Sequence, residues 1–288
     1  MPDTDLDALG LLPEDQADLR RHAALLQDDD RTRVADLAAR LAARVGDLEF
    51  PWPRLFADAR DEPGRPMGLL PLLALVASAD AVRRFHASRG VSPEDSASGL
   101  RDLGQQVAVH RRTYGTFGLH TQGWLVGVWS GAYFWPGRLA FNLMRDEGPP
   151  HEHWVIDTHI PEAGPLTPAA VDESFARAEA LFARHFADHP ATELHCHSWL
   201  LDPYLAEALP ADSNLVRFQQ RWELYGEPEP GDHDAVFFVF RRRDVRAADR
   251  RLLPRDTRLQ RAVLDRVGSE RPWQLRHGRI PLASEAAG

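Results

Sequence analysis

The chain reads as an α+β protein, an all-helical first part followed by a mixed α/β sheet domain. Two observations carry this reading. Up to about residue 136 the apolar residues recur at spacings of three and four, the period of helices with one buried face. Beyond the break at Pro136 and Gly137 the period falls to two in several short runs, as strands require. The expected division is a helical N-terminal domain over 1–136 and a sheet domain over 137–288.

The elements follow in order. "DDDRTRVADLAARLAARVGDLE" sets Val34, Leu37, Leu41 and Val45 on one helical face, with Asp30 placed to cap it. "PLLALVASADAVRRFHASRG" reads as a mostly buried helix ending at Gly90. "SPEDSASGLRDLGQQVAVHRR" opens with Ser92 as N-cap and Pro93 at the first helical position, and Leu100, Leu103 and Val107 mark its buried stripe. "TQGWLVGVWSGAYFW" adds a helix or an aromatic-rich segment. "RLAFNLM" then alternates as a strand, "EGPP" turns, and "HEHWVIDTHI" alternates again. Its two faces separate Trp154, Ile156 and Thr158 from His151, His153, Asp157 and His159. A long helix over 167–186 buries Val171, Phe175, Ala178, Phe182 and Phe186. "ELHCHSWLL" reads as a strand, "YLAEALP" as a short helix, "NLVRFQQRWEL" as an alternating strand and "AVFFVF" as a central strand. "DTRLQRAVLDRVG" is a helix stopping at Gly268, and "WQLRHGRIPL" reads as a last strand.

Composition narrows the chemistry. A hydrophobic content of 43% supplies a core, and a formal charge of −9 with no basic stripe argues against nucleic acid as a partner. All 34 basic residues are Arg, which excludes a Schiff-base or P-loop lysine. The single cysteine, Cys196, excludes a disulfide framework and multi-cysteine zinc modules. The acidic start lacks the pattern of a signal peptide, and the most apolar stretch, "MGLLPLLALVASADAV", is short for a membrane span. A cytoplasmic protein without a membrane partner is expected, with no oligomeric state indicated.

The phrases "HIPEAGPLTP", "CHSWLLDP", "LPADSNLVRFQQRW", "LPRDTRLQRAV" and, before them, "GRLAFNL" after "QGWL" run in order from about residue 120 to residue 265. In them the chain resembles a bacterial acyltransferase family that joins an N-acyltransferase N-terminal domain to a GNAT-like C-terminal domain. The resemblance implies transfer of an acyl group from an acyl thioester, acyl-CoA or similar, to an amine or hydroxyl, directly and without a resident metal. It implies that "WVIDTHI" leads into a donor-binding loop and helix start, "PEAGPLTPAA", and that "ELHCHSWLL" is the strand splaying away from it. Gly164, Leu166 and Thr167 would then bind the donor, since the free N–H groups of a helix start hold an anion. Glu162 in the same loop repels a pyrophosphate, which leaves a donor other than coenzyme A as an alternative.

Within that frame His159 is the candidate general base, because it ends a strand on the polar face and imidazole titrates near neutrality. Asp157 lies two residues back on the same face and would orient it. His197 would border the acyl channel, and Tyr204 on the following helix would protonate the leaving thiolate, as its counterpart does in many GNAT enzymes. Asn214 and Arg217 are candidate substrate anchors. Cys196 and His197 leave opposite faces of one strand, so they cannot pair as nucleophile and base, and Cys196 reads as packing. Asp202 reads as a helix cap. Two other readings stay open: a metal enzyme using the histidines of the two strands, and a GNAT-like domain that binds without catalysis.

Overall fold

The computed structural model describes residues 5–49, 55–56, 63–146, 153–242 and 249–282. His151, the turn at 147–150 and Arg243 lie outside them. The α+β class holds: helices fill the first part and a mixed parallel and antiparallel sheet organises the second. Two compact units emerge. One is Met1–Pro136 with Ala140–Arg145 and Leu181–Asp188, and the other is Gly137–Leu139, Asp146–Ala180 and His189–Gly288.

The first unit contains α1 (Pro13–Ala24), α2 (Asp28–Ala42), α3 (Leu69–Ser88), α4 (Pro93–Leu100), α5 (Asp102–Tyr114) and α6 (Gln122–Val128). Helix α3 is the centre of its core: Leu72, Ala74, Leu75, Ala79 and Val82 are fully buried, which explains its apolar circumference. It ends where Gly90 adopts φ +73°. Ser92 caps α4 by accepting from the Asp95 N–H at 3.0 Å. The run read as one helix from Ser92 breaks at Arg101 into α4 and α5. Asp30 sits inside the first turn of α2 rather than before it, accepting from Gln27 N–H and from both guanidinium nitrogens of Arg65. Strand β1 (Tyr133–Phe134) pairs antiparallel with β2 (Ala140–Asp146).

The second unit orders its strands β3 (His153–His159), β4 (Ala191–Ser198), β6 (Gln274–Pro281) and β5 (Glu223–Pro230), from one side to the other. Strands β3 and β4 are parallel, whereas β6 is antiparallel to both of its neighbours. Helix α7 (Pro168–His185) makes the crossover from β3 to β4. Short helices α8 (Tyr204–Ala208) and α9 (Asn214–Gln219) precede β5, and α10 (Asp232–Phe240) and α11 (Arg258–Arg266) precede β6. A local core of Trp199, Leu205, Val216, Val236, Val263 and Trp273 holds these helices together.

Two expected strands are helices. "AVFFVF" lies in α10, because a short continuous apolar run fits a buried helix as well as a strand. Asp232 decides it locally by accepting from the N–H groups of Gly268 and Trp273, which anchors the helix start. "NLVRFQ" is α9, capped by Ser213, whose hydroxyl accepts from Val216 N–H. The strand partner that was missed, β5, is charged and exposed over most of its length, as a sheet edge is. Among the described residues no helix is long and apolar enough to cross a membrane.

Candidate active site

Strands β3 and β4 pair from Trp154–Ala191, shift register between Trp154 and Val155, and then run in register from Val155–Glu193 to Asp157–His195. Both continue, β3 to His159 and β4 to Ser198, without further registered pairs. The registered pairing thus ends before the C-terminal ends of both strands. On the other side of β4, His197 faces His277 of β6, and Tyr225 of β5 faces His277 in turn. Strand alternation therefore gathers Asp157, His159, His195, His197, His277 and Tyr225 on one face.

The side chains form a row. His159 Nε2 lies 3.4 Å from Asp157 Oδ2, while His195 Nδ1 bonds Asp157 Oδ1 at 2.9 Å. His195 Nε2 meets His277 Nδ1 at 3.1 Å, and His277 Nε2 lies 3.3 Å from Glu229 Oε1. His197 Nε2 approaches the same oxygen at 3.4 Å, with its ring stacked on His277 at 4.1 Å and 8°. An ionised carboxylate only accepts, so Asp157 fixes the hydrogen of His195 on Nδ1. The Nε2 of a neutral His195 then accepts from His277 Nδ1–H.

The electrostatics set the imidazoles apart. Burial pushes the Asp157 carboxyl up, but His159, His195 and His197 together outweigh it and hold the carboxyl below its ordinary value. Burial lowers His159, overcoming the support of Asp157, so its neutral form is favoured. His195 goes the other way: burial opposes its charge, and the hydrogen bond and charge of Asp157 raise it nonetheless. Burial and the neighbouring His277 lower His197. Cys196 is fully buried on the opposite face, where burial pushes its thiol well up. Burial does the same for the Tyr225 phenol, with Asp146 adding to it.

The loop between β3 and α7 is pinned by a residue that sequence reading missed. Arg138 donates from Nε to Gly164 O and from Nη1 to Pro161 O, each at 2.9 Å. Gly164 adopts φ +85° with open space where a Cβ would project, so backbone conformation rather than crowding calls for glycine. Thr167 accepts from Ala170 N–H at 3.4 Å and opens α7, and Leu166 is buried at 5% exposure beneath the loop. Glu162, expected to repel a phosphate, is paired with Arg241 Nη2 at 2.5 Å, which offsets its charge.

Other sequence candidates fall elsewhere. Tyr204 starts α8 in the Trp199–Trp273 core, with the Arg266 guanidinium 4.4 Å above its ring. Asp202 does more than cap. It is buried, accepts from Tyr204 N–H and Gln274 N–H, and pairs with Arg266 at 2.8 Å. Asn214 and Arg217 lie on α9, the first half-buried and the second exposed, not on a strand. His277 was not legible as a site residue, because nothing local to "WQLRHGRIPL" tells which strand it will pair with.

A helical domain followed by a mixed sheet unit is the architecture of a GNAT-like acyltransferase. Residues 3–131 match the N-acyltransferase N-terminal domain and residues 133–280 match the GNAT-like C-terminal domain. The chain belongs to the acyltransferase family built from these two domains. It is similar to the crystal structure of an acyltransferase in complex with decanoyl-CoA, at 31% identity and a TM-score of 0.82, over 96% of this chain and 86% of that one. It is also similar to an acyltransferase in complex with decanoyl-CoA and teicoplanin, at 32% identity and a TM-score of 0.81 over the same shares of the two chains. A third similar structure, with CoA and 10C-teicoplanin, gives 32% identity and a TM-score of 0.81, again over 96% and 86%. No curated protein matches the chain.

Proposed function

We propose that the chain transfers the acyl group of an acyl-CoA to an amine of a large polar acceptor, with His159 as general base. The observation that carries this is the Asp157 carboxylate shared by His159 and His195 where the β3–β4 pairing ends. A base must be unprotonated before it acts, and burial keeps His159 in that form. The amine attacks the thioester carbonyl, its proton passes to His159, and Asp157 stabilises the imidazolium that results. His195, held by the same carboxylate, keeps Asp157 ionised and oriented. Collapse of the tetrahedral intermediate breaks the C–S bond, the imidazolium of His159 gives its proton to the departing sulfur, and coenzyme A leaves as the thiol with the amide product and a neutral His159.

The donor's pyrophosphate is assigned to the loop and helix start at Gly164, Leu166 and Thr167, where Arg241 offsets Glu162. His197 lines the same strand end. The packing of Tyr204 against Trp273 and Arg266 fits a structural part better than thiolate protonation. Decanoyl-CoA and teicoplanin are the first donor and acceptor to try, because they occupy similar enzymes.

The test is product formation followed by mass spectrometry in the parent chain and in His159→Ala. An acylated acceptor whose formation rate falls about 10²- to 10⁴-fold in the variant supports the assignment. A variant with the parental rate would remove His159 from the chemistry.

A further inference from the structure

Two carboxylates close the row, the inner one at Asp157 and the exposed one at Glu229, with the imidazoles of His195 and His277 between them. We propose that His277, backed by Glu229, is a positioning residue that keeps one proton resident on His195 and thereby keeps the adjoining His159 unprotonated. This inference rests on His159 as the base.

Donor–acceptor matching gives the proton count. With His195 neutral, its hydrogen is on Nδ1 facing Asp157, and its Nε2 must accept from His277 Nδ1–H at 3.1 Å. That leaves the His277 Nε2 lone pair 3.3 Å from Glu229 Oε1, acceptor against acceptor. One added proton on His195 resolves every contact. Its Nδ1–H donates to Asp157, its Nε2–H donates to His277 Nδ1, and His277 Nε2–H donates to Glu229.

The surroundings place the charge on His195 rather than on His277. His195 touches the Asp157 carboxylate at 2.9 Å, and Asp146 and Glu193 add to the negative field around it. Tyr225 packs against it as a neutral phenol, and Arg279, on the rung opposite His195, is paired with Glu223. His277 has only the exposed Glu229 to stabilise a charge, and His197 Nε2 approaches the same oxygen at 3.4 Å. His197 also lies face to face with His277, so protons on both rings would set like charges in contact.

The consequence falls on His159. Burial lowers its basicity first, Asp157 opposes, and the charge of His195 lowers it further. A neutral His195 would leave Asp157 to act on His159 without that opposing charge, so His159 would stay protonated to a higher pH.

The test is a pair of exchanges at His277. His277→Leu removes the acceptor for His195 Nε2–H, whereas His277→Asn keeps one, because the amide oxygen takes the place of Nδ1. Heteronuclear NMR of the histidine rings reads the protons directly. In the parent at pH 7, both nitrogens of His195 should carry hydrogen and His277 should be the Nε2–H tautomer. In His277→Leu the pH at which His195 loses its charge should fall by about one unit or more, and the acid limb of the kcat/KM profile should move up by a similar amount. His277→Asn should return both toward the parental values. A merely structural role would lower the rate at every pH and leave the limb in place.

A neutral His195 in the parent at pH 7 would overturn the proposal, as would a folded His277→Leu in which His195 titrates unchanged. A shifted His195 with an unmoved acid limb would break the link to His159. The NMR reading needs no turnover, so it judges the resident proton separately from the rate of His159→Ala.

Discussion

Asp157 and His195 sit opposite each other on the last registered rung of the β3–β4 pair, with Oδ1 and Nδ1 2.9 Å apart. The carboxylate is thereby anchored to the rigid part of the sheet while its second oxygen reaches His159 beyond the last registered pair. Removing its charge separates the anchor from the base proposed at His159. In Asp157→Asn the raised pKa of His195 should fall, because the bond and charge of Asp157 are what raise it against burial. Histidine-selective NMR titration should show that downward shift, with acyl transfer slowed by roughly 10²-fold or more. An unmoved His195 titration would show that the pair does not govern its charge.

Arg138 offers a test of the proposed donor loop without touching the row. Arg138→Lys keeps the charge and loses the fork that holds Gly164 O and Pro161 O together. The KM for acyl-CoA should rise by about tenfold, the worth of one charge-assisted hydrogen bond, with kcat little changed. Steady-state kinetics at saturating acceptor separates the two constants. A fall in kcat alone would mean that the loop acts on the reacting atoms rather than on donor binding.

The helical unit contains a buried carboxyl with a pH signature. Burial raises Asp102 from 3.8 to about 6, against the donated bonds of Trp124 and Gln106. Its protonated form favours folding, so its contribution is complete below about pH 4 and is lost as pH rises through 6. The size is up to roughly 3 kcal/mol, from about two pH units. His86 acts in the opposite sense: burial lowers it from 6.5 to about 4, so its contribution is complete above 6.5 and falls away below. Denaturant unfolding from pH 4 to pH 8 should therefore show a difference between the parent and Asp102→Asn that changes with pH. A constant difference would rule out titration of Asp102 in this range.

Close backbone packing gives a sharper mutational test. A Cβ at Gly104 would stand 1.9 Å from Gly10 O and 2.5 Å from Leu11 N, neither of which belongs to a flexible side chain. Gly104→Ala should destabilise the chain by at least about 1–3 kcal/mol, read as a lowered urea midpoint. The same exchange at Gly164, where space is open but φ is +85°, should cost only about 1–2 kcal/mol.

The sequence made much of this arrangement legible, and its failures share one physical origin. Periodicity located α3, α7, β3 and β4, because each buries one regular face. Alternation alone separated Cys196 from its two histidines, and the thiol is indeed buried on the far face. "AVFFVF" and "NLVRFQ" misled because short runs are assigned by tertiary partners, Gly268 and Trp273 in one case and a Ser213 cap in the other. The row of imidazoles was half visible. His159 and Asp157 share a strand, but His277 enters only through antiparallel pairing with β4, a register no local pattern records. Arg138 and Gly164 likewise meet across 26 residues of chain.

The burial of Cys196 has a practical corollary. The chain's sole sulfhydryl is at 0% exposure and strongly disfavours its thiolate, so alkylating and disulfide reagents have no reactive target on the native enzyme. Every equivalent of colour released from an aromatic disulfide reagent during turnover then reports product from the donor, not protein. The same burial closes the route to an acyl-enzyme through sulfur.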